Sequence, residues 1–149
     1  MFTQTKALAS YGKIATTETN PLKQIVMLYD GAIKFLNLTA TDIEAKDFQA
    51  KAEHSTRALD IILYLQSILD FERGGSVAEN LDNLYRSITV LVLRASNELD
   101  PKLMRRAAEL LVTVREAWET NAQNTSLGTP LVPVANAGIE NTSTISRLG

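Results

Sequence analysis

The 149-residue sequence contains no cysteine and only one histidine, His54. Disulfide bonds and thiolate metal sites are therefore excluded, and a histidine-based metal site would lack its usual second ligand. A surplus of positive charge is also absent, because the formal net charge is -2. Broad binding to a phosphate backbone needs a concentrated basic surface, so nucleic acid is not an expected partner.

Long apolar runs are absent as well. No run approaches the roughly 20 residues that a membrane-spanning helix requires, so stable membrane insertion is not expected. The first 13 residues lack the apolar stretch of a secretory signal, and we expect a cytoplasmic protein. Hydrophobic residues make up 45% of the chain and charged residues 21%, an ordinary mixture that supports one domain with a real core.

Capping residues and breaks mark four helical segments. Asn20-Pro21 and Asp100-Pro101 each place a capping side chain before a proline, which suits the first helical position. Asp47 can cap the second segment, and Gly74-Gly75 interrupts the chain just before a capping box that starts at Ser76. These signals predict helices over residues 20–45, 48–71, 76–99 and 101–121.

Apolar residues recur at helical spacing within these segments. In the fourth, Leu103, Ala107 and Leu111 lie on one face, and no segment shows the period-two alternation of a strand. Short breaks between successive helices place them antiparallel to each other. The sequence therefore predicts an all-α protein, an antiparallel four-helix bundle over residues 20–122.

The two ends of the chain differ from the bundle. Residues 123–149 are rich in Thr, Ser, Asn, Gly and Pro, with Glu140 and Arg147 as their only charged residues. This composition is typical of a flexible, disordered tail. In residues 1–19, Leu8, Tyr11 and Ile14 recur every three residues, which predicts a short amphipathic cap segment docked on the bundle.

The first three helices carry more apolar residues than a core-facing stripe a little over 100° wide requires. Single exposed apolar residues are common and need no explanation, whereas a contiguous apolar patch usually marks a partner site. Amphipathic ligand helices bind such patches through anchors at helical spacing. The residues predicted to contact a partner are Leu28, Phe35, Leu63, Tyr64, Phe71, Val90 and Leu93, joined by Leu8, Tyr11 and Ile14 of the cap segment.

Residues for catalysis are not found. A lone helical histidine in a four-helix bundle raises the alternative of a phosphotransfer-like signalling or adaptor module. The stretch after His54 lacks the lysine and glycine expected there, so a histidine at the edge of the core is favoured. No nucleophile–base pair, phosphate loop or carboxylate metal cluster is recognisable. We therefore expect a protein that is not an enzyme and binds no cofactor or metal.

Three stretches resemble the FliS family of flagellar secretion chaperones. The first is Asn20-Pro21 followed by residues 27–36, MLYDGAIKFL. The second is Glu72-Arg73-Gly74-Gly75, continuing through Leu84-Tyr85, and the third is Arg115-Glu116-Ala117-Trp118. With Tyr11 upstream, they cover roughly residues 11–120 in the order and spacing of the family.

The resemblance implies an antiparallel four-helix bundle that binds the disordered C-terminal segment of newly made flagellin. Such a chaperone holds that segment on its outer surface, prevents premature polymerisation and presents the cargo to the flagellar export gate. Tyr11 matches a tyrosine of a segment thought to cover part of the empty site. The tail of this sequence is longer than the family pattern requires, and Arg86-Ser87-Ile88-Thr89 stands where many relatives look more aromatic or Met-rich.

Overall fold

The structure is a computed structural model that describes residues 21–124, with side chains through residue 120. It contains four α-helices: α1 (Pro21–Glu44), α2 (Phe48–Ser67), α3 (Phe71–Glu98) and α4 (Pro101–Asn124). The predicted cap segment with Leu8, Tyr11 and Ile14, and the predicted tail beyond residue 124, lie outside the described residues.

The four helices form an antiparallel bundle. α1 packs on α2 and α4, and α3 completes the bundle by packing on the same two helices. Glu44 at the end of α1 binds Arg105 near the start of α4, with 2.7 Å between Glu44 Oε1 and Arg105 Nη2. Gln66 near the end of α2 donates to Asp82 in the first half of α3 across 2.7 Å. These contacts confirm the predicted antiparallel fold.

Two of the predicted helix starts are confirmed by their caps. The backbone N–H of Ala50 donates to Asp47 Oδ1 across 3.1 Å, and Asp47 precedes α2. The N–H of Leu103 donates to Asp100 Oδ1 across 3.0 Å, with Pro101 as the first residue of α4. Each carboxylate satisfies a donor that the first helical turn leaves without an intrahelical partner.

The predicted end of the second helix at residue 71 is wrong, whereas the predicted interruption at the glycine pair is present. α2 ends at Ser67, and α3 begins at Phe71, where the N–H of Arg73 donates to Asp70 Oδ1 across 3.0 Å. Gly75 lies inside α3 as a kink with φ 51 and ψ -126, a conformation that favours glycine. The helical backbone is therefore interrupted at the predicted glycine pair, and the turn before it, which starts at Phe71 and is capped by Asp70, was not predicted.

α1 is the most buried of the first three helices. It contributes more buried residues than α2 or α3, because it packs extensively on both α2 and α4. Leu28 and Phe35, predicted to contact a partner, are only 7% and 8% exposed and belong to the core cluster. Their prediction as surface residues is wrong, since two neighbouring helices use the full width of the apolar stripe of α1.

None of the helices within residues 21–124 combines the length and apolar composition that crossing a membrane requires.

Candidate functional site

Three aromatic side chains meet in the buried centre of the bundle. Tyr29 of α1, Tyr85 of α3 and Trp118 of α4 are each at most 2% exposed, and we call them the aromatic triad. The ring centroid of Tyr29 lies 6.4 Å from that of Tyr85 and 6.3 Å from that of Trp118. These separations are within the range of favourable aromatic pairing.

Hydrogen bonds connect the polar ends of the aromatic triad. The indole Nε1–H of Trp118 donates to the hydroxyl of Tyr29 across 3.1 Å, and the hydroxyls of Tyr29 and Tyr85 bond to each other. Burial raises the pKa of Tyr85 to about 12 and the pKa of Tyr29 well above its ordinary value. Both phenols therefore stay neutral near pH 7, and the triad acts as a structural joint between α1, α3 and α4.

The aromatic triad explains why the three resembling stretches occur together. Tyr29, Tyr85 and Trp118 come from the first, second and third stretch, respectively. A second contact joins the first and third stretches, because Arg115 binds Asp30 and also lies 2.7 Å from Glu119 Oε2. The hydrogen bond to Asp30 is the main cause that raises the pKa of Arg115. Sequence reasoning did not predict either contact.

His54 lies at the edge of the core, as predicted. Its Nδ1 is 2.6 Å from Asp42 Oδ2, and its ring stacks on Phe35 with 5.8 Å between centroids. The imidazole therefore braces α2 against α1, which is a structural role and gives no support to a phosphotransfer module. Within residues 21–124, no group of three or more His, Asp or Glu side chains is arranged to hold a metal ion.

Four of the predicted contact residues are exposed. Leu63, Phe71, Val90 and Leu93 are 44%, 51%, 62% and 53% exposed, respectively. Tyr64 is partly buried and packs against the core. Exposure makes the first four available to a partner, and their contact with one remains a prediction.

The seam between α2 and α3 brings part of this exposed apolar surface together. Lys51 Nζ donates to the backbone oxygen of Ser96 across 3.1 Å, and the Gln66–Asp82 contact fixes the other end of the seam. This antiparallel register places Leu93 level with the turn around His54 and Leu63 level with the turn around Tyr85. The two helices therefore present their outward apolar residues along one line.

Five residues on this seam form what we call the α2–α3 strip. Gln66 and Asp82 point toward each other across the seam, and each residue turns a helix by about 100°. On this basis, the strip residues of α2 project within about 60° of Gln66, and those of α3 project within about 80° of Asp82. Leu59 is partly buried and packs against the core, whereas the other four are exposed. The α2–α3 strip consists of Phe48, Leu59, Leu63, Val90 and Leu93.

Phe48 is a contact candidate that sequence reasoning missed. It is 48% exposed as the first residue of α2, and its ring lies 5.9 Å from Lys51 Nζ. Its position directly after the Asp47 cap was a usable signal, since the first helical turn often projects beyond the packed core. Phe71, by contrast, is exposed at the start of α3, beyond the end of α2, and does not belong to the strip.

Charged side chains border the α2–α3 strip without neutralising its apolar character. Arg86 and Arg94 lie four residues on either side of Val90, and they pair within α3 with Asp82 and Glu98, respectively. Helical neighbours at this spacing share a face, so these ion pairs lie beside the apolar residues. An apolar patch with a charged rim is typical of a surface that binds another protein.

A second apolar feature is a groove between α3 and α4, which we call the α3–α4 groove. Its volume is about 350 Å³, and it lies beside the kinked first half of α3 and the last turns of α4. A helical wheel treats one helix at a time, so it cannot show where two neighbouring helices diverge to leave such a groove. The groove is lined by Val77, Asn80, Leu81, Leu84, Thr113, Val114, Ala117 and Trp118.

Comparisons with known proteins find a consistent set of relatives. The family model described as "Flagellar protein FliS" matches residues 4–125. A flagellar secretion chaperone FliS of Vibrio cholerae is 31% identical over 117 residues, which cover 76% of this chain and 86% of that protein. Another of the same name from Salmonella typhimurium is 34% identical over 106 residues, covering 70% of this chain and 78% of its own. A flagellar secretion chaperone FliS of Bacillus subtilis is 26% identical over 117 residues, which cover 77% of this chain and 85% of that protein.

Proposed function

This chain belongs to the FliS family of flagellar secretion chaperones, and we propose that it is a cytoplasmic, non-enzymatic chaperone of flagellin. In this proposal it binds the disordered C-terminal segment of flagellin on the α2–α3 strip. It prevents premature polymerisation and hands the cargo to components of the flagellar export gate. The family membership supports a role as an export chaperone. We add three proposals to it: that the cargo is flagellin, that the cargo binds on the α2–α3 strip, and that it is handed to the export gate.

The observation that carries the proposal is the exposure of four large apolar side chains along one seam. Phe48, Leu63, Val90 and Leu93 are between 44% and 62% exposed, on a surface whose remaining residues are largely polar or charged. A flagellin segment that folds as an amphipathic helix could place its apolar anchors along this line. Such a helix would bury the strip and leave the bordering ion pairs of α3 in water.

The energetics favour a long contact. Ordering a disordered segment costs roughly 1–2 kcal/mol per residue of backbone. Each well-buried large apolar side chain returns about 1.5–3 kcal/mol. The gain exceeds the cost only when many apolar side chains are buried along an extended surface. The length of the α2–α3 seam supports this kind of binding, and the strip would supply its central anchors.

The cap segment completes the proposal. We propose that Leu8, Tyr11 and Ile14 of the cap segment cover part of the flagellin-binding surface when flagellin is not bound. Flagellin would displace this segment, so the free chaperone would not expose its whole binding surface to other copies. Shortening the chain to begin at Asn20 should then raise flagellin affinity if the bundle stays folded.

A binding experiment with truncated flagellin tests the function. Isothermal titration of the full chain with monomeric flagellin should give one-to-one binding, and removing the C-terminal segment of flagellin should abolish the heat of binding. A matched truncation at the N-terminus of flagellin serves as the control and should bind like the intact protein. Unchanged binding after the C-terminal truncation would contradict the proposal.

A further inference from the structure

We propose that the chain covers its own α3–α4 groove with a segment of its C-terminal extension, residues 131–134, Leu-Val-Pro-Val. The groove is a second apolar surface, on the other side of α3 from the α2–α3 strip, and the proposed function does not use it. The inference therefore stands independently of flagellin binding. It assigns an intramolecular ligand to the groove and a role to the extension.

The position of the groove favours the C-terminal extension as its occupant. α4 forms one wall through Thr113, Val114, Ala117 and Trp118, and the chain continues from the end of this same helix at Asn124. The N-terminal segment continues from α1, which contributes no residue to the groove. The extension is thus attached directly to a wall of the site that it would occupy.

The length of the connection is sufficient. Trp118 precedes Asn124 by six residues, a rise of about 9 Å along a helix. Residues 125–130 provide six residues of connecting chain, which span up to about 20 Å when extended. Gly128 and Pro130 within this connection suit a change of direction after the helix. Residue 131 can therefore return to the level of Trp118 or Val114.

The chemistry of the two partners matches. The groove presents aliphatic side chains of Val77, Leu81, Leu84 and Val114 beside the Trp118 ring. Residues 131–134 are the densest apolar run of the extension and carry no charge. Burying them would therefore remove apolar surface from water without desolvating an ionised group. The nearest charged residue in the extension is Glu140, six positions beyond Val134.

The polar groups of the groove suit an extended peptide. Asn80 on α3 and Thr113 on α4 are exposed members of the lining. The Asn80 amide can donate to or accept from the backbone of a bound segment, whereas Thr113 Oγ1 already donates to the backbone oxygen of Glu109 and can serve as an acceptor. Pro133 has no N–H, so the segment brings one fewer backbone donor that must be satisfied. The volume of about 350 Å³ is appropriate for a few aliphatic side chains rather than for a whole helix.

Docking of this segment would be reversible. Alternate side chains of an extended segment point to opposite sides, so the segment buries only part of its apolar surface. It must also order the connecting residues, and a partner with more apolar anchors would therefore displace it.

Methyl NMR of the full chain tests the inference without altering the groove. We expect nuclear Overhauser contacts between the methyl groups of Leu84 or Val114 and those of Leu131, Val132 or Val134. A mixture of differently labelled copies distinguishes contacts within one chain from contacts between chains. Groove contacts to Leu8 or Ile14, contacts only between copies, or no contact to residues 131–134 would each overturn the proposal.

A pair of tail variants provides a second test. The double variant Leu131→Asp, Val132→Asp should abolish these contacts and shift the groove methyl resonances, because carboxylates resist burial in an apolar groove. It should also change the emission of Trp118, the only tryptophan in the chain. The matched control Ile145→Asp lies in the same extension and should leave both signals unchanged. Identical spectra for the double variant and the control would overturn the proposal.

Discussion

Trp118 donates its indole N–H to the hydroxyl of Tyr29 across 3.1 Å, which joins the last helix of the bundle to the first. The same hydroxyl bonds to Tyr85, so one oxygen connects α1, α3 and α4 in the buried core. Satisfied polar networks in a core specify one packing arrangement, because each lost partner leaves a costly unpaired group. The aromatic triad therefore fixes the position of α3 relative to α4, the two helices that flank the α3–α4 groove.

Removing the shared hydroxyl tests this role. The Tyr29→Phe variant should lower the free energy of unfolding by about 1–3 kcal/mol, because it removes the hydroxyl that accepts from the Trp118 indole and bonds to Tyr85 in the buried core. Urea denaturation followed by circular dichroism measures the change. Tyr64→Phe removes a hydroxyl outside the triad and serves as the control, with an expected change below about 0.5 kcal/mol. Equal losses for both variants would contradict a special role for the triad.

The raised pKa of Tyr85 predicts a loss of stability at high pH. The pKa of tyrosine is ordinarily 10.0, whereas that of Tyr85 is about 12 in the fold, so the unfolded state releases this proton first as the pH rises. The contribution of the neutral phenol is fully present below pH 10 and is lost as the pH rises through 12. The free energy of unfolding should fall by on the order of 3 kcal/mol over this range.

Denaturation curves between pH 9 and pH 12 measure this loss, with Tyr85→Phe as the comparison. The variant should be less stable than the wild type at pH 9, and its stability should fall less steeply between pH 10 and pH 12. Tyr29 contributes in the same direction, since burial also raises its pKa. Parallel curves for wild type and variant would show that ionisation of Tyr85 is not coupled to unfolding.

Replacing the buried carboxyl of Asp60 should stabilise the fold. It is only 7% exposed, and its Oδ2 has no hydrogen-bond partner within the described part of the chain. Burial raises the pKa of this carboxyl, so its ionised form opposes folding at pH 7. Asp60→Asn removes the ionisable group and keeps the shape of the side chain, so it should raise the free energy of unfolding at pH 7.

The advantage of Asp60→Asn should depend on pH in a defined direction. A raised pKa means that the folded state binds the proton more tightly, so the cost of the ionised carboxyl disappears as the pH falls through the folded pKa. Below the ordinary aspartate pKa of 3.8, the carboxyl is largely protonated in both the folded and the unfolded state, and the difference in stability between Asp and Asn should be smallest. A stabilisation that stays constant from pH 7 to pH 3.5 would contradict this explanation. Glu53→Gln, at an exposed position of α2, is the control.

Local signals in the sequence were sufficient to predict most of the fold. The caps Asp47 and Asp100 act through bonds to residues three positions later, so their effect can be read from neighbouring residues alone. Gly74-Gly75 was expected to interrupt the helix, and Gly75 is non-helical. The turn that begins at Phe71 was missed, because Asp70 was not recognised as its cap.

The candidate site was harder to predict, because it depends on which helices are neighbours. Leu28 and Phe35 were expected on the surface, but α1 has two close neighbours and buries both side chains. Leu63, Val90 and Leu93 were expected to be exposed, and the structure leaves all three exposed. The α3–α4 groove and the aromatic triad join residues from distant parts of the chain, so no local pattern could indicate them.

The most direct test of the proposed function is the affinity of surface variants for flagellin. Leu93→Asp and Val90→Asp place a carboxylate on the α2–α3 strip, whereas Val112→Asp places one on an exposed apolar residue of α4 outside it. Isothermal titration with intact monomeric flagellin should show at least about tenfold weaker binding for the two strip variants, which corresponds to about 1.4 kcal/mol, and unchanged binding for Val112→Asp. Thermal melting should differ little among all three. Wild-type affinity in both strip variants would contradict binding of flagellin on the α2–α3 strip.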